Sequence, residues 1–217
     1  MRRKVVRDIL TESKVYWNHS DNDGMHHAEL TSGLHSDSFF NLSYLNDPAL
    51  IRRLFMTDRI STALKYKKHL IDCVCGQAYG SIAIGTLLAD YLKVPFIFTE
   101  KDKNGNMILD RYSEIAKQYR RVLIAEDVLT TGKTSKATID LITNATGQRY
   151  VDIFTVINRT GELHLHSNDD EPVDIISCID VTTKQYDPKD CPLCRAGSTA
   201  IRPKKEGNWA LLNTKST

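Results

Sequence analysis

The spacing of apolar positions changes along the chain, and each change marks an element. Val5, Val6, Ile9 and Leu10 recur at helical intervals, so residues 3–17 are expected to form an amphipathic helix. The stretch 18–24 is polar and rich in Asp, Asn and Gly, and interrupts it. Two short strand-like runs follow at 28–31 and 38–44, with Gly33 between them as a hairpin signal. Asp47-Pro48 then opens a helix with proline in its first turn, and Leu50, Leu54, Ile60 and Leu64 carry it to about residue 68.

From residue 70 the pattern alternates. Buried-type apolar runs at 70–75, 94–98, 122–125, 151–157 and 173–178 predict strands, and 81–92 and 134–145 predict helices. Residues 76–80 form a turn, 127–133 a loop, and a polar segment with Gly, Asn and Lys occupies 99–119. Beyond 182 the chain is tail-like. Strand and helix alternating at this spacing predict an α/β fold, a mainly parallel twisted sheet with helices on both faces. Such sheets bind ligands at the carboxyl ends of their strands, here near Gly76, Thr99 and Glu126.

Composition narrows the classes of function. The 217 residues carry 29 Lys+Arg against 27 Asp+Glu, a net charge of +2, which supplies no field for a dedicated nucleic-acid binder. No run approaches the roughly 18 apolar residues of a membrane span. The opening Met1-Arg2-Arg3-Lys4 meets Asp8 and Glu12 before any apolar block, so no signal peptide is expected and the cytoplasm is the expected compartment. The five cysteines then read as reduced thiols. Cys73 and Cys75 suit a core. Cys191-Pro-Leu-Cys194 reads either as a zinc or redox pair or as a structural tail motif. A full zinc site needs about four ligands and no second pair is visible, so the tail motif is preferred. His164 and His166 near Asp169, Asp170 and Glu171 read as a solvated loop ahead of a metal cluster, and His26, His27 and His35 have no assigned role.

The richest chemistry lies at 122–135. A buried strand ends in Glu126 and Asp127, a turn with Thr130, Thr131 and Gly132 follows, and a helix begins near Lys133 and Thr134. Free amides at a helix start, with hydroxyls beside them, make a cup for phosphate. Two adjacent carboxylates suit vicinal hydroxyls or a divalent cation. Together they describe a ribose 5-phosphate. The turn is not a Walker A loop, because position 127 is Asp rather than Gly. A plain strand–turn–helix connection is the bland alternative.

Glu126-Asp127-Val128-Leu129-Thr130-Thr131-Gly132-Lys133-Thr134 resembles the phosphoribosyl-pyrophosphate (PRPP) signature of the type I phosphoribosyltransferases. Other segments resemble the orotate phosphoribosyltransferase family: 30–41, with Thr31, Ser32, Gly33, Phe39 and Phe40, is similar to its base-binding hood. Gly76-Gln77-Ala78-Tyr79, with Gly80, is similar to its pyrophosphate loop, and Asn158-Arg159 to the strand end that contacts orotate. The tail at 187–197 resembles a subgroup of that family. The resemblance implies one domain over 1–217: an N-terminal helix and hood at 1–45, an α/β core at 46–181 and a C-terminal tail at 182–217.

The implied reaction is orotate plus PRPP giving orotidine 5′-monophosphate and pyrophosphate, in pyrimidine synthesis. Mg2+ is expected through substrate and water rather than through protein ligands. Asp127 and Glu126 would hold the ribose hydroxyls, 130–134 the 5′-phosphate, and Thr31, Ser32, Gly33, Phe39, Phe40, Thr130 and Arg159 the base. Lys101 and Lys103, with Arg111 a third candidate, would be brought by a mobile segment at 99–119 that reaches a neighbouring subunit, so a homodimer is implied. A strained non-proline cis peptide is implied near Ala78 and Tyr79. The bland alternatives are a solvated hairpin for the lysines, core packing for the two Phe residues and a surface cation for Arg159. The resemblance implies that the best-known bacterial members carry Lys where Thr31 and Gly80 stand and Arg where Glu100 stands, three cations this chain lacks; the Cys-Pro-Leu-Cys subgroup shares some of these losses. A phosphoribosyltransferase for another base such as a purine, or a non-catalytic PRPP-binding regulator, are the alternative functions.

Overall fold

The computed structural model describes residues 2–22, 24–77, 79–147, 150–166 and 171–214. Its first helix, α1 (Arg2–Glu12), buries Val6, Ile9 and Leu10, as their spacing predicts. It stops short of the expected residue 17. Lys14 takes a left-handed φ of 59°, and the following residues become strand β1 (Tyr16–Asn18). A hairpin turns near Gly33 as expected, but its arms are β2 (His26–Glu29) and β3 (His35–Ser36); the expected second arm at 38–44 is instead β4 (Ser38–Phe40), which pairs antiparallel with β1.

One helix is expected over 48–68, and two form. α2 (Pro48–Phe55) starts on an Asp47 cap, with the Asp47 carboxylate accepting from Ala49 N–H at 2.8 Å. Thr57 is extended and its hydroxyl donates to the Leu54 carbonyl at 2.7 Å, which ends the helix. α3 (Asp58–Lys67) begins afresh.

The alternating region follows as β5 (Cys73–Gln77), α4 (Ile82–Leu92), β6 (Phe96–Lys101), β7 (Met107–Ile108), α5 (Ser113–Ala116), β8 (Arg121–Leu129), α6 (Lys133–Thr146), β9 (Tyr150–Asn158), β10 (His164–His166) and β11 (Pro172–Asp180). These strands form one seven-stranded sheet in the order β10-β11-β9-β8-β5-β6-β7. The inner five are parallel and the two edges antiparallel, so the α/β expectation holds. Cys73, Cys75, Ile97, Val122, Ile124, Ile139, Ile142 and Ile153 interlock in its core, each worth about 1.5–3 kcal/mol for the larger side chains.

The order places a crossing of topology between β5 and β8. From β5 the chain runs through α4 to β6 on one side. β8 lies on the other side of β5 and leads through α6 to β9. Loops leaving the ends of β5 and β8 therefore diverge, which leaves a crevice there.

The segment beyond 182 is not a tail. β12 (Gln185–Tyr186) pairs antiparallel with β3, α7 (Pro192–Arg195) follows, β13 (Thr199–Ile201) pairs parallel with β2, and α8 (Asn208–Leu212) ends the described chain. The result is a four-stranded sheet, β12-β3-β2-β13. Two compact units follow: Asn46–Val181 with the first six residues, and Arg7–Leu45 with Thr182–Thr217. The second has its own core of Trp17, Ala28 and Leu212 with Phe39, Ile201 and Trp209 against it. The Trp17 indole N–H donates to the Leu212 carbonyl at 2.6 Å.

Candidate active site

In the larger unit the two carboxylates sit inside β8 rather than in the loop after it. β8 extends four residues past the expected end because Val128 and Leu129 pair with Ile157 and Asn158 of β9, and Arg159 N–H donates to the Leu129 carbonyl at 2.8 Å. This fixes the backbone of both acids. Burial, and then the neighbouring Asp127 charge, push the Glu126 carboxyl up to about 8. The Ser135 hydroxyl, at the start of α6, donates to Glu126 Oε2 at 3.4 Å. The Gln77 amide, at the end of β5, donates to Ser135 Oγ at 3.1 Å. Three elements thereby hold one carboxylate.

Asp127 Oδ1 accepts the Val128 N–H at 2.7 Å. Its carboxylate also lies against Gly80: a Cβ built there would stand 3.1 Å from Asp127 Cγ and closer still to Oδ2. The Cβ-free Gly80 therefore lets the turn after β5 close onto the acid. Gly76 and Gln77 are buried within β5, and Tyr79 is exposed in the turn. Ala78, and with it the expected cis peptide, lies outside the described residues.

The turn between β8 and α6 has the predicted form. Thr130 and Thr131 are exposed, and Gly132 turns the chain with φ +73°. A side chain at Gly132 would be strained in this left-handed conformation and would meet Leu165 Cδ1 at 2.8 Å. The 14-residue α6 starts at Lys133; its N-cap Gly132 has no side chain to cap it, and the Lys133 N–H donates to Thr131 Oγ1 at 3.4 Å. Lys133 is exposed and Thr134 partly so. Amides at such a helix start attract anions.

The segment 99–119 carries regular structure rather than an unbroken loop. Thr99, Glu100 and Lys101 belong to β6, which pairs with β7, and Leu109 and Ala116 are buried in the core. Only a turn at 102–106 projects, held by Asp102 Oδ1 accepting from the Asn104 and Asn106 amides at 2.8 Å. Lys101 and Lys103 are exposed on this hairpin, past the register pair Gln77 and Thr99 that ends β5. Arg111 is engaged otherwise. Its guanidinium pairs with Glu100 at 3.0 Å and lies over the Phe98 ring at 5.5 Å. Arg159 is half-buried at the end of β9, and that burial lowers its pKa.

The smaller unit holds the remaining predicted residues. Thr31, Ser32 and Gly33 form the β2–β3 turn, closed by Gly33 N–H donating to Leu30 carbonyl at 2.9 Å. Phe39 and Phe40 alternate on β4: Phe40 packs on Tyr16 with ring centroids 4.9 Å apart, and Phe39 on Trp209 at 6.0 Å. Phe39 and Thr31 line a cleft of about 400 Å³ with Glu29, Arg202, Lys204 and Lys205. Arg202 is paired with Glu29 at 2.8 Å. Phe40 does not line this cleft. The three cations from the C-terminal segment are functional candidates that the sequence pattern did not single out. Their clustering at 202–205 is a short basic run like many others, and only the pairing of β13 with β2 directs attention to it.

No protein-family model matches the chain. Among curated relatives it is 33% identical over 191 residues to the orotate phosphoribosyltransferase of Sulfurimonas denitrificans, covering 84% of this chain and 92% of that protein. It is 35% identical over 170 residues to the orotate phosphoribosyltransferase of Chlorobium phaeobacteroides, covering 77% and 81%. Among solved structures it resembles orotate phosphoribosyltransferase from Aeropyrum pernix with a TM-score of 0.55 at 16% identity, over 80% of this chain and 92% of that one. It resembles Leishmania donovani UMP synthase with a TM-score of 0.53 at 19% identity, over 81% of this chain and 35% of that one. At such identities the structural likeness shows the fold, which is that of these transferases, while the relatives at 33–35% show the lineage. This chain belongs to the orotate phosphoribosyltransferase family.

Proposed function

We propose that the chain transfers the phosphoribosyl group of PRPP to orotate in pyrimidine nucleotide synthesis. The bond from ribose C1 to the pyrophosphate oxygen breaks, the bond from C1 to a ring nitrogen of orotate forms, and pyrophosphate leaves. The observation that carries this reading is the placement of Glu126 and Asp127 near the carboxyl end of β8, two residues before the Thr130–Gly132 turn, with Asp127 against the turn after β5. At a switch point in the sheet these groups suit the diol, the 5′-phosphate and the pyrophosphate of one ligand.

Glu126 and Asp127 receive the two ribose hydroxyls. Burial keeps a proton on this pair near neutral pH, so one carboxyl can donate while its neighbour accepts. As the ribose ring gains positive charge, the remaining negative charge stabilises it without solvent reorganisation. The turn at 130–134 takes the 5′-phosphate through amides and hydroxyls. Gly76, Gln77, Ala78, Tyr79 and Gly80 take the pyrophosphate. Exposed Lys101, Lys103 and Lys133 supply charge to it. Thr31, Phe39, Arg202, Lys204 and Lys205 suit a flat, carboxylate-bearing base, through stacking and cation contacts.

The oxygen donors of Glu126 and Asp127 fit Mg2+ held mainly through substrate oxygens and water. When bound, the ion would neutralise pyrophosphate charge. A homodimer, with the 102–106 turn reaching the second copy, is part of the proposal. The test is loss of orotate absorbance that requires PRPP and Mg2+, in a panel that includes purine bases. Asp127→Asn is expected to depress turnover at least 100-fold. A folded protein that binds PRPP yet turns over only another base, or none, overturns the base assignment.

A further inference from the structure

The Cys191-Pro-Leu-Cys194 pair has the partners that its sequence neighbourhood lacks. His27 of β2 and His35 of β3 face it. The register of the hairpin sets Glu29 opposite His35, so His27 sits diagonally across from His35 on the same face. Their ring centroids are 4.8 Å apart. β12 joins the hairpin on one edge and β13 on the other, so the chain between them, carrying α7, crosses from edge to edge. That crossing brings both thiols to both imidazoles.

One donor atom from each of the four residues lies within 4.8 Å of every other. His27 Nε2 is 3.0 Å from His35 Nδ1. Cys191 Sγ is 3.7 Å and Cys194 Sγ 3.6 Å from His27 Nε2, and Cys194 Sγ is 3.4 Å from His35 Nδ1. Tetrahedral zinc with ordinary Zn–N and Zn–S bonds requires separations of about 3.3 Å between nitrogens and about 3.6 Å between nitrogen and sulfur. The four observed spacings match these to within a few tenths of an ångström, and those of Cys191 to His35 and to Cys194 are no more than 4.8 Å. Three of the four residues are buried, and no carboxylate belongs to the set. Nitrogen and thiolate donors in this number select zinc over magnesium or calcium. The second nitrogen of His27, Nδ1, lies 2.9 Å from the Ser198 hydroxyl, an outer contact that would fix the ring with Nε2 turned to the metal.

We propose that His27, His35, Cys191 and Cys194 form a structural Cys2His2 zinc site that clamps the C-terminal segment onto the β2–β3 hairpin. With four protein ligands the site has no open position, so its role is structural. It stands apart from the Mg2+ of the transfer reaction and does not depend on the base assignment. Its consequence is local. Thr31 and Glu29 extend from the hairpin, Arg202, Lys204 and Lys205 from the clamped segment, and together they line the cleft described above.

The test uses the full chain. Protein purified without chelator is expected to contain about one zinc per chain by elemental analysis. Stripped of metal and titrated with Co2+, it is expected to show an intense thiolate-to-cobalt charge-transfer band and the visible bands of four-coordinate cobalt. Cys194→Ser, at the exposed ligand, and His35→Ala are each expected to weaken Zn2+ binding at least tenfold. Removing zinc is expected to raise amide exchange at 191–201 at least tenfold. A folded, reduced wild-type chain that takes up neither Zn2+ nor Co2+ overturns the site. So does undiminished binding in Cys194→Ser. Unchanged exchange in the stripped chain overturns the clamping role. Because the wild-type measurements stand alone, a variant that fails to fold does not rescue the proposal.

Discussion

The Asp127 carboxylate occupies the space that a side chain at Gly80 would need: a Cβ there would lie 3.1 Å from Asp127 Cγ. The acid and the turn after β5 are thus fitted to each other through a missing side chain. Gly80→Ala is expected to push Asp127 aside and cut turnover at least tenfold, while circular dichroism shows the fold retained. A variant with wild-type kinetics would show that the acid has room to move at no cost.

Glu126 predicts a pH dependence of stability with a definite sign. Its carboxyl is raised from 4.5 to about 8 in the folded chain, by burial first and by Asp127 second. Between those values the folded chain keeps a proton that the unfolded chain releases. The contribution is therefore complete below about pH 4.5 and is lost as the pH rises through about 8. Glu126→Gln removes the buried charge. Its Tm is expected to exceed that of the wild type at pH 9 and to match it at pH 5, by thermal unfolding. An equal offset at both pH values would contradict the assignment.

Glu100 holds Arg111 in an ion pair at 3.0 Å. Exposed pairs contribute at most about 1 kcal/mol, so Glu100→Gln should leave Tm nearly unchanged. Removing one negative charge and freeing one positive charge should still lower the KM for PRPP several-fold, most clearly at low ionic strength. A KM that rises would show that the pair itself positions a group in the reaction.

The cleft cations Lys204 and Lys205 have no predicted role in PRPP binding. The double variant Lys204→Ala/Lys205→Ala is expected to raise the KM for orotate at least fivefold and to leave the KM for PRPP unchanged. Equal effects on both constants would assign these lysines to general electrostatic attraction instead.

Lys67 of α3 reaches the buried Asp152 of β9 at 2.6 Å and Asp174 of β11 at 3.4 Å. Lys67→Met strands the Asp152 charge inside the protein and is expected to cost about 3 kcal/mol in urea unfolding. Asp152→Asn in the same background should recover part of that loss. Without recovery, the packing of the lysine stem rather than its charge would be responsible.

The site at β8 was legible because its chemistry is contiguous. Glu126, Asp127, Thr130, Thr131 and Gly132 follow one another along a strand, a turn and a helix start, and local spacing carries the geometry. Even there β8 runs four residues beyond the end its apolar run predicts, because the pairing of Val128 with Ile157 is a contact between distant segments. The single helix expected over 48–68 failed for a small reason. Apolar periodicity continues across Thr57, while the Thr57 hydroxyl bonds back to Leu54 and breaks the backbone.

The sequence by itself determined the parallel α/β core and the glycine turn between β8 and α6, since hydrophobic period, proline and glycine act over a few residues at a time. Tertiary structure alone decided that Gly80 yields its space to Asp127, and that Arg111 is held by Glu100. It also decided that residues 182–214 join a sheet with β2 and β3 and bring Cys191 and Cys194 to His27 and His35. More than 150 residues separate those thiols from those imidazoles. Strands of two or three residues such as β3, β12 and β13 are too short to declare a period. Their positions follow from long-range strand pairing and burial, which no local pattern encodes.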